Sequence, residues 1–263
     1  MNKPVASLSE EHAGQDPRKL YLDLLERSLT NMIYGDPPLP GGPVSGAYSE
    51  TNRQVGGDWP SQAHTMIGLK RLHALRELVE RTLNENIAGD YIETGVWRGG
   101  ACIMMRGILA GYGDTERIVY CADSFEGLPR PDAANYPPDK KDTLYKYREL
   151  AISLDQVKAN FAAYGLLDAQ VRFVKGWFRD TLPGIDVKQL ALLRLDGDMY
   201  ESTMIALQSL YDRLSPRGFV VVDDYGALGS CRKAVHDFLD KRKEAVTIHK
   251  IDQTGVWWQR ASA

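Results

Sequence analysis

The stretch GFVVVDDYG (218–226) joins an apolar run to two adjacent carboxylates. Phe219 to Val222 read as a strand buried on both faces, the pattern of a central parallel strand. Asp223 and Asp224 end that strand, where like charges repel and desolvation adds to the unfavourable energy. Something of opposite charge has to meet them there.

Outward from this stretch, strands and helices alternate. Strand-like runs are DYIET (90–94), RIVYCAD (117–123), VRFVK (171–175), LALLRLD (190–196) and GFVVVDD (218–224). Segments of helical period lie between them at 99–113, 153–165 and 201–214, and another follows at 230–241. VTIHKID (246–252) and VWWQR (256–260), joined through Gln253-Thr254-Gly255, read as a hairpin. The alternation predicts an α/β fold, a doubly wound and mostly parallel seven-stranded sheet whose terminal hairpin contributes one antiparallel strand. Ligands of such sheets bind beyond the carboxyl ends of the strands. Glu93, Asp123, Asp196, Asp223 and Asp224 all fall at or near those ends.

Ahead of the sheet, residues 1–18 read as disordered, and 19–35 as a helix with Leu20, Leu24, Leu25 and Leu29 on one face. A Pro/Gly-rich loop of about thirty residues follows, far longer than the usual connection of about 4–6 and of the kind that forms lids. A helix over about 65–84 then carries Ile67, Leu69, Leu72, Leu75 and Leu78. No linker or repeat divides the 263 residues, so 19–263 are read as one domain: N-terminal helices and lid loop over 19–84, core over 85–263.

Composition excludes several classes of function. Apolar residues make up 43% and charged residues 25%, and the net charge of -3 is spread along the chain, which argues against a nucleic-acid or anionic-membrane partner. No run of about 18 apolar residues is long enough to span a bilayer. The polar start lacks a signal peptide's apolar core, and Cys102, Cys121 and Cys231 have neither metal spacing nor an even count. A cytoplasmic protein with buried, reduced thiols is the expectation.

ETGVWRGG (93–100) follows the first strand. Gly95 permits a tight turn, and Gly99 and Gly100 let backbone approach a ligand at a helix N-terminus. The spacing is not the dinucleotide G-x-G-x-x-G, and Glu93 would repel phosphate while suiting an amino group. Asp123, ending the second strand, is placed to accept bonds from ribose hydroxyls. Singly, these are also an ordinary strand-to-helix turn and a helix cap. Together they favour a nucleoside without phosphates, and S-adenosylmethionine fits.

LRLDGDMYEST (193–203) ends the fourth strand with Asp196 and Asp198. If the fourth and fifth strands are neighbours, about 4.8 Å apart, Asp196 faces Asp223 and Asp224, and converging hard oxygen ligands suit Mg2+. Asp198, two residues on, points to the same side if the backbone is extended and is a candidate general base. Its unperturbed pKa of about 3.9 is low for that task, a gap that metal coordination of the hydroxyl would narrow. Trp177 and Phe178 could line a cofactor pocket or serve only as core. His64 reads as a satisfied structural histidine, and Arg98 as a carboxylate holder or a surface pair.

AHTMIGLKRL (63–72), ETGVWRGGACI (93–103), ADSFEGLP (122–129), VRFVKGWFRDTLP (171–183), LLRLDGDMYEST (192–203), VVVDDY (220–225) and GVWWQR (255–260) together resemble the macrocin O-methyltransferase family, over about 19–260. The resemblance implies a class I methyltransferase fold, S-adenosylmethionine and Mg2+ as cofactors, a sugar hydroxyl on a glycosylated natural product as small-molecule acceptor, and a homodimer or higher homo-oligomer. By position it implies Asp196, Asp223 and Asp224 as metal ligands and Asp198 as general base. Thr65, Met66, Glu93, Thr94, Gly95, Asp123, Ser124, Ser153, Phe178 and Asp196 are then the cofactor contacts. Catechol-type methyltransferases place a lysine base three residues after the first metal acid; here that position is Met199. The loop at 35–57 is the least family-like part.

Three other readings stay open on residues alone. A haloacid-dehalogenase-like phosphatase shares D-x-D and a later acid pair, but its nucleophile strand comes first rather than fourth. A nucleotide-sugar glycosyltransferase could use DGD (196–198) but would leave the glycine turn without a purpose. A non-catalytic S-adenosylmethionine-binding protein would not need the carboxylates.

Overall fold

The computed structural model describes residues 16–262. Five parallel strands run β1 (Asp90–Thr94), β2 (Val119–Asp123), β3 (Val171–Lys175), β4 (Leu190–Leu195) and β5 (Leu214–Val222), and the hairpin β6 (His249–Lys250) and β7 (Val256–Gln259) completes the sheet. The seven strands are ordered β3-β2-β1-β4-β5-β7-β6, and β7 runs antiparallel to both of its neighbours. All six residues of β4 are buried, as a strand covered on both faces requires. Alternate side chains feed two cores. Tyr91, Leu192 and Val221 face one, with helices α1 (Pro17–Leu29), α3 (Gly68–Asn84), α4 (Gly100–Tyr112) and α5 (Leu154–Ala163). Ile92, Leu193 and Val220 face the other, under α7 (Tyr200–Leu210) and α8 (Gly229–Arg242). This is the class I methyltransferase arrangement.

Boundaries differ from the sequence reading where context outweighs local pattern. Helix α1 begins at Pro17, capped by the Asp16 carboxylate on the Arg18 amide, so residues 16–18 are ordered; the rest of the 1–18 expectation lies outside the described residues. Its buried face is Leu22, Leu25 and Leu29, while Leu20 and Leu24 are 44% and 57% exposed. The period is helical either way, and packing against α4 selects the face. Helix α3 starts at Gly68 rather than 65. Strand β6 keeps only two residues, His249 and Lys250, paired with β7 at the sheet edge.

The long N-terminal loop is more structured than its composition implies. It holds a six-residue helix, α2 (Glu50–Val55), and a bridge from Pro38 to Pro60. Arg53 of α2, 1% exposed, donates to Asp36 at 2.7 Å, to Asp58 at 3.0 Å and to the Thr30 carbonyl at 2.7 Å. Burial opposes ionisation of Asp36, but bonds from Arg53, the Gln62 amide and Asn31, with the charge of Arg53, outweigh it and hold the carboxyl at about 2 against an ordinary 3.8. A carboxyl depressed in the folded state stabilises above its unfolded pKa and loses that stabilisation as pH falls through the folded value. Between about pH 4 and 2 the protein is therefore expected to lose about 2 kcal/mol through this group. Asp36→Asn should remove that part of the slope in acid denaturation followed by circular dichroism. An unchanged slope would mean that Asp36 is not held as described.

Candidate active site

The glycine turn fixes one wall of the site. Gly95 has φ +92, and a Cβ there would lie 1.8 Å from the Asp196 carbonyl oxygen, so no side chain fits between the ends of β1 and β4. Asp123 ties this turn to β2: its carboxylate accepts from the Val96 amide at 2.6 Å and the Phe125 amide at 2.7 Å. Ser124 donates to the Gly127 carbonyl at 2.7 Å.

The carboxylates converge as the strand order predicts. One oxygen from each of Asp196, Asp223 and Asp224 lies within 4.8 Å of the others. Counter-charge also comes from the protein. Arg194, 1% exposed within β4, donates to Glu93, to Asp196 at 2.6 Å and to Asp223. Arg71 of α3 donates to the other oxygen of Asp223 and lies 3.1 Å from Asp252. Asp223 thus shares both oxygens with guanidinium groups. Asp196 keeps a second oxygen away from Arg194, and among the described residues Asp224 accepts only from the Asp198 amide, at 3.3 Å. Burial first, then Asp198, Asp196 and Asp223, push the Asp224 carboxyl well above the usual range. Burial, then Asp196, Asp142 and Asp223, do the same to Asp198. Excess negative charge among hard oxygen donors fits a divalent cation held by Asp196 and Asp224 beside Asp223.

Asp198 does not reach the site through extended backbone. Its φ of 62 is left-handed, and this turn, not strand alternation, puts it in the cavity. The cavity, of about 280 Å³, is lined by Met66, Gly95, Asp123, Ser124, Phe178, Asp196, Asp198, Asp223 and Asp224. Thr65, Glu93, Thr94 and Ser153 fall outside the lining. Glu93 is 2% exposed and accepts from Arg194 and from the Cys102 thiol at 2.8 Å. Burial, opposed by Arg194 and reinforced by Asp196, raises its carboxyl to about 7. Ser153 caps α5 through the Gln156 amide, and Thr65 accepts weakly from the Ile67 amide at 3.4 Å. His64 meets the Tyr164 hydroxyl at 2.9 Å, and Arg98 donates to the Pro60 and Ala63 carbonyls, both structural tasks.

Sequence reasoning missed Arg71, Arg194 and the segment 128–152. An arginine inside the apolar run LALLRLD was a visible signal, because a buried guanidinium needs anionic partners. Arg71 looked like one more polar residue on an amphipathic helix. Across the cavity mouth, the segment 128–152 is anchored by Asp139, whose carboxylate accepts from the Tyr200 and Glu201 amides at 2.7 and 2.9 Å, and by the Trp97 indole donating to the Glu149 carbonyl at 2.9 Å.

Comparison with known proteins agrees with this geometry. The model of the macrocin-O-methyltransferase family matches residues 42–260. The chain is 51% identical, over 95% of both sequences, to the 8-demethyl-8-(2,3-dimethoxy-alpha-L-rhamnosyl)-tetracenomycin-C 4'-O-methyltransferase of Streptomyces olivaceus. It is 47% identical to the mycinamicin III 3''-O-methyltransferase of Micromonospora griseorubida, over 93% of this chain and 97% of that one. The solved structure of the O-methyltransferase NovP superposes with a TM-score of 0.89 at 46% identity, covering 93% of this chain and 99% of that one. These relatives set aside the phosphatase, glycosyltransferase and non-catalytic readings. A sheet of this order and a family match over most of the chain lead to one conclusion: the chain belongs to the macrocin-O-methyltransferase family and is an O-methyltransferase.

Proposed function

We propose that the protein transfers a methyl group from S-adenosylmethionine, with the aid of Mg2+, to a hydroxyl of a sugar or deoxysugar on a glycosylated natural product. The observation that carries this reading is the opening of one cavity onto both the glycine turn at Gly95 and the carboxylates at the ends of β4 and β5. Relatives that methylate rhamnosyl-tetracenomycin and mycinamicin substrates support a glycosylated acceptor.

Asp123 and Ser124 hold the ribose side, and Gly95 lets the amino-acid end approach the backbone. Asp196 and Asp224, with Asp223, would hold the cation, whose Lewis acidity lowers the pKa of an acceptor hydroxyl. Asp198, its carboxyl raised by burial and then by Asp196, Asp142 and Asp223, takes the hydroxyl proton. S-adenosylmethionine held there would supply the sulfonium methyl group to the acceptor oxygen, with S-adenosylhomocysteine as the leaving group. Much of the rate comes from holding acceptor and methyl donor in register. The N-terminal part contributes Gly56, Trp59, Met66 and Arg71 to the cavity wall, so 19–84 act as its cover within one domain spanning 19–263.

Calorimetric titration with S-adenosylhomocysteine, in Mg2+ and in EDTA, is the direct test. Micromolar binding is expected in both, together with methylation of a panel of deoxysugar glycosides in Mg2+ only. Full turnover in EDTA would remove the metal from the mechanism. Absence of binding would overturn the cofactor assignment.

A further inference from the structure

Glu201 stands apart from the other charged groups of the cavity. It occupies the first turn of α7, lines the cavity, and its side chain is only 6% exposed. Among the described residues its Oε2 has no hydrogen-bond partner. Its Oε1 is 3.6 Å from Arg179, beyond hydrogen-bond distance. The backbone is fixed, since the Glu201 amide donates to Asp139 at 2.9 Å. A buried carboxylate oxygen without a donor is unfavourable, and a ligand N–H or O–H would satisfy it.

Position in the fold selects among ligands. Arg179 belongs to α6 (Phe178–Thr181), the short helix after β3, and β3 neighbours β2, which ends at Asp123. The Phe178 ring lies beside the start of α7: a Cβ on Gly197 would come within 3.0 Å of Phe178 Cε2 and 2.9 Å of Ser202 Cβ. Phe178, Gly197 and Ser202 form a narrow wall, with Glu201 on the same turn as Ser202. A nucleoside whose ribose rests at Asp123 cannot extend its base toward Gly95, where β1 and β4 backbones close in. Its base is directed toward the junction of α6 and α7. At that junction Phe178 and Glu201 both line the cavity, and Glu201 Oε2 is a buried, unsatisfied acceptor.

We propose that Glu201 reads the base of the nucleoside cofactor, its Oε2 accepting a hydrogen bond from the exocyclic amine of adenine. Burial raises the Glu201 carboxyl above its ordinary range, and Arg179, half-exposed 3.6 Å away, opposes that shift and favours the ionised form. The assignment rests on the S-adenosylmethionine reading above and adds the residue that discriminates the base.

The test is calorimetry on the intact chain with S-adenosylhomocysteine and with S-inosylhomocysteine, which carries a keto oxygen in place of the amine. Wild-type protein is expected to bind the adenine compound about 10- to 100-fold more tightly, since a charged acceptor facing a keto oxygen is left unpaired. In Glu201→Gln, adenine binding should weaken about tenfold, and the preference should narrow to a few-fold because the carboxamide can donate to the keto oxygen. Equal binding of both compounds by the wild type overturns the proposal without reference to any variant. Full retention of the adenine preference in Glu201→Gln also overturns it and turns Glu201 toward the acceptor. Failure of the wild type to bind S-adenosylhomocysteine removes the cofactor reading, and this inference with it.

Discussion

Asp224→Asn is expected to lower methyl transfer about a hundredfold to a thousandfold while S-adenosylhomocysteine binds as in the wild type. Among the described residues, Asp224 is the acid of the cluster that touches no guanidinium, and its only hydrogen-bond donor is the Asp198 amide. Its oxygens are therefore open to a divalent cation, whose charge would offset the burial and the neighbouring acids that raise this carboxyl. Asparagine keeps the shape and loses the charge, so cation affinity falls and the several kcal/mol that a Lewis acid contributes to the barrier are lost. Raised Mg2+ should recover part of the rate if affinity is what was lost. Binding of the cofactor product should not change, because Asp123, Ser124 and Phe178 are untouched. The comparison is a rate assay across Mg2+ concentrations beside calorimetry on the same preparation. A variant with near wild-type turnover would place the cation elsewhere or dispense with it.

Arg194→Met is expected to have the largest effect on stability. The guanidinium is 1% exposed and joins Glu93 of β1 to Asp196 and Asp223, the residues that follow β4 and β5. Methionine fills much of the volume but leaves these acids short of one positive charge. Removing one partner of a buried charge network costs about 3–5 kcal/mol. For a chain of this size that corresponds to a drop in Tm of about 10 °C. Arg194→Lys should recover only part, since an ammonium cannot hold three carboxylates in the planar fork. Adding Asp223→Asn to Arg194→Met should be less damaging than the sum of the two, because it removes one of the stranded charges. Thermal unfolding by circular dichroism measures all three variants. A Tm within about 2 °C of wild type for Arg194→Met would show that the acids do not depend on it.

These two residues also mark what can be read without a structure. The run Phe219 to Val222 and the acids after it needed only local pattern: a strand covered on both faces is continuously apolar, and carboxylates at its end announce a site. The two strands DYIET and VRFVK were located to the residue. The fourth and fifth strands, expected as neighbours because they are consecutive in the chain, do pair, and Asp196 converges with Asp223 and Asp224. Local pattern served less well where a helix had two plausible faces. Leu20 and Leu24 share the period of the buried Leu22, Leu25 and Leu29, and only contact with α4 distinguishes them.

The amino-acid order alone determined the alternation of elements, the sheet class and the identities of the acids at the strand ends, because these depend on interactions within a few residues. Tertiary structure decided how those acids are neutralised. Arg71 lies 152 positions from Asp223 and reaches it only because α3 packs over the sheet. Asp198 enters the cavity through a left-handed turn that strand alternation does not predict. Glu201 of α7 has an oxygen left unpaired among the described residues, beside Arg179 of α6, which chain order does not reveal. Charge compensation in a buried site is set by distance in space, and chain order carries almost no information about distances between segments a hundred residues apart.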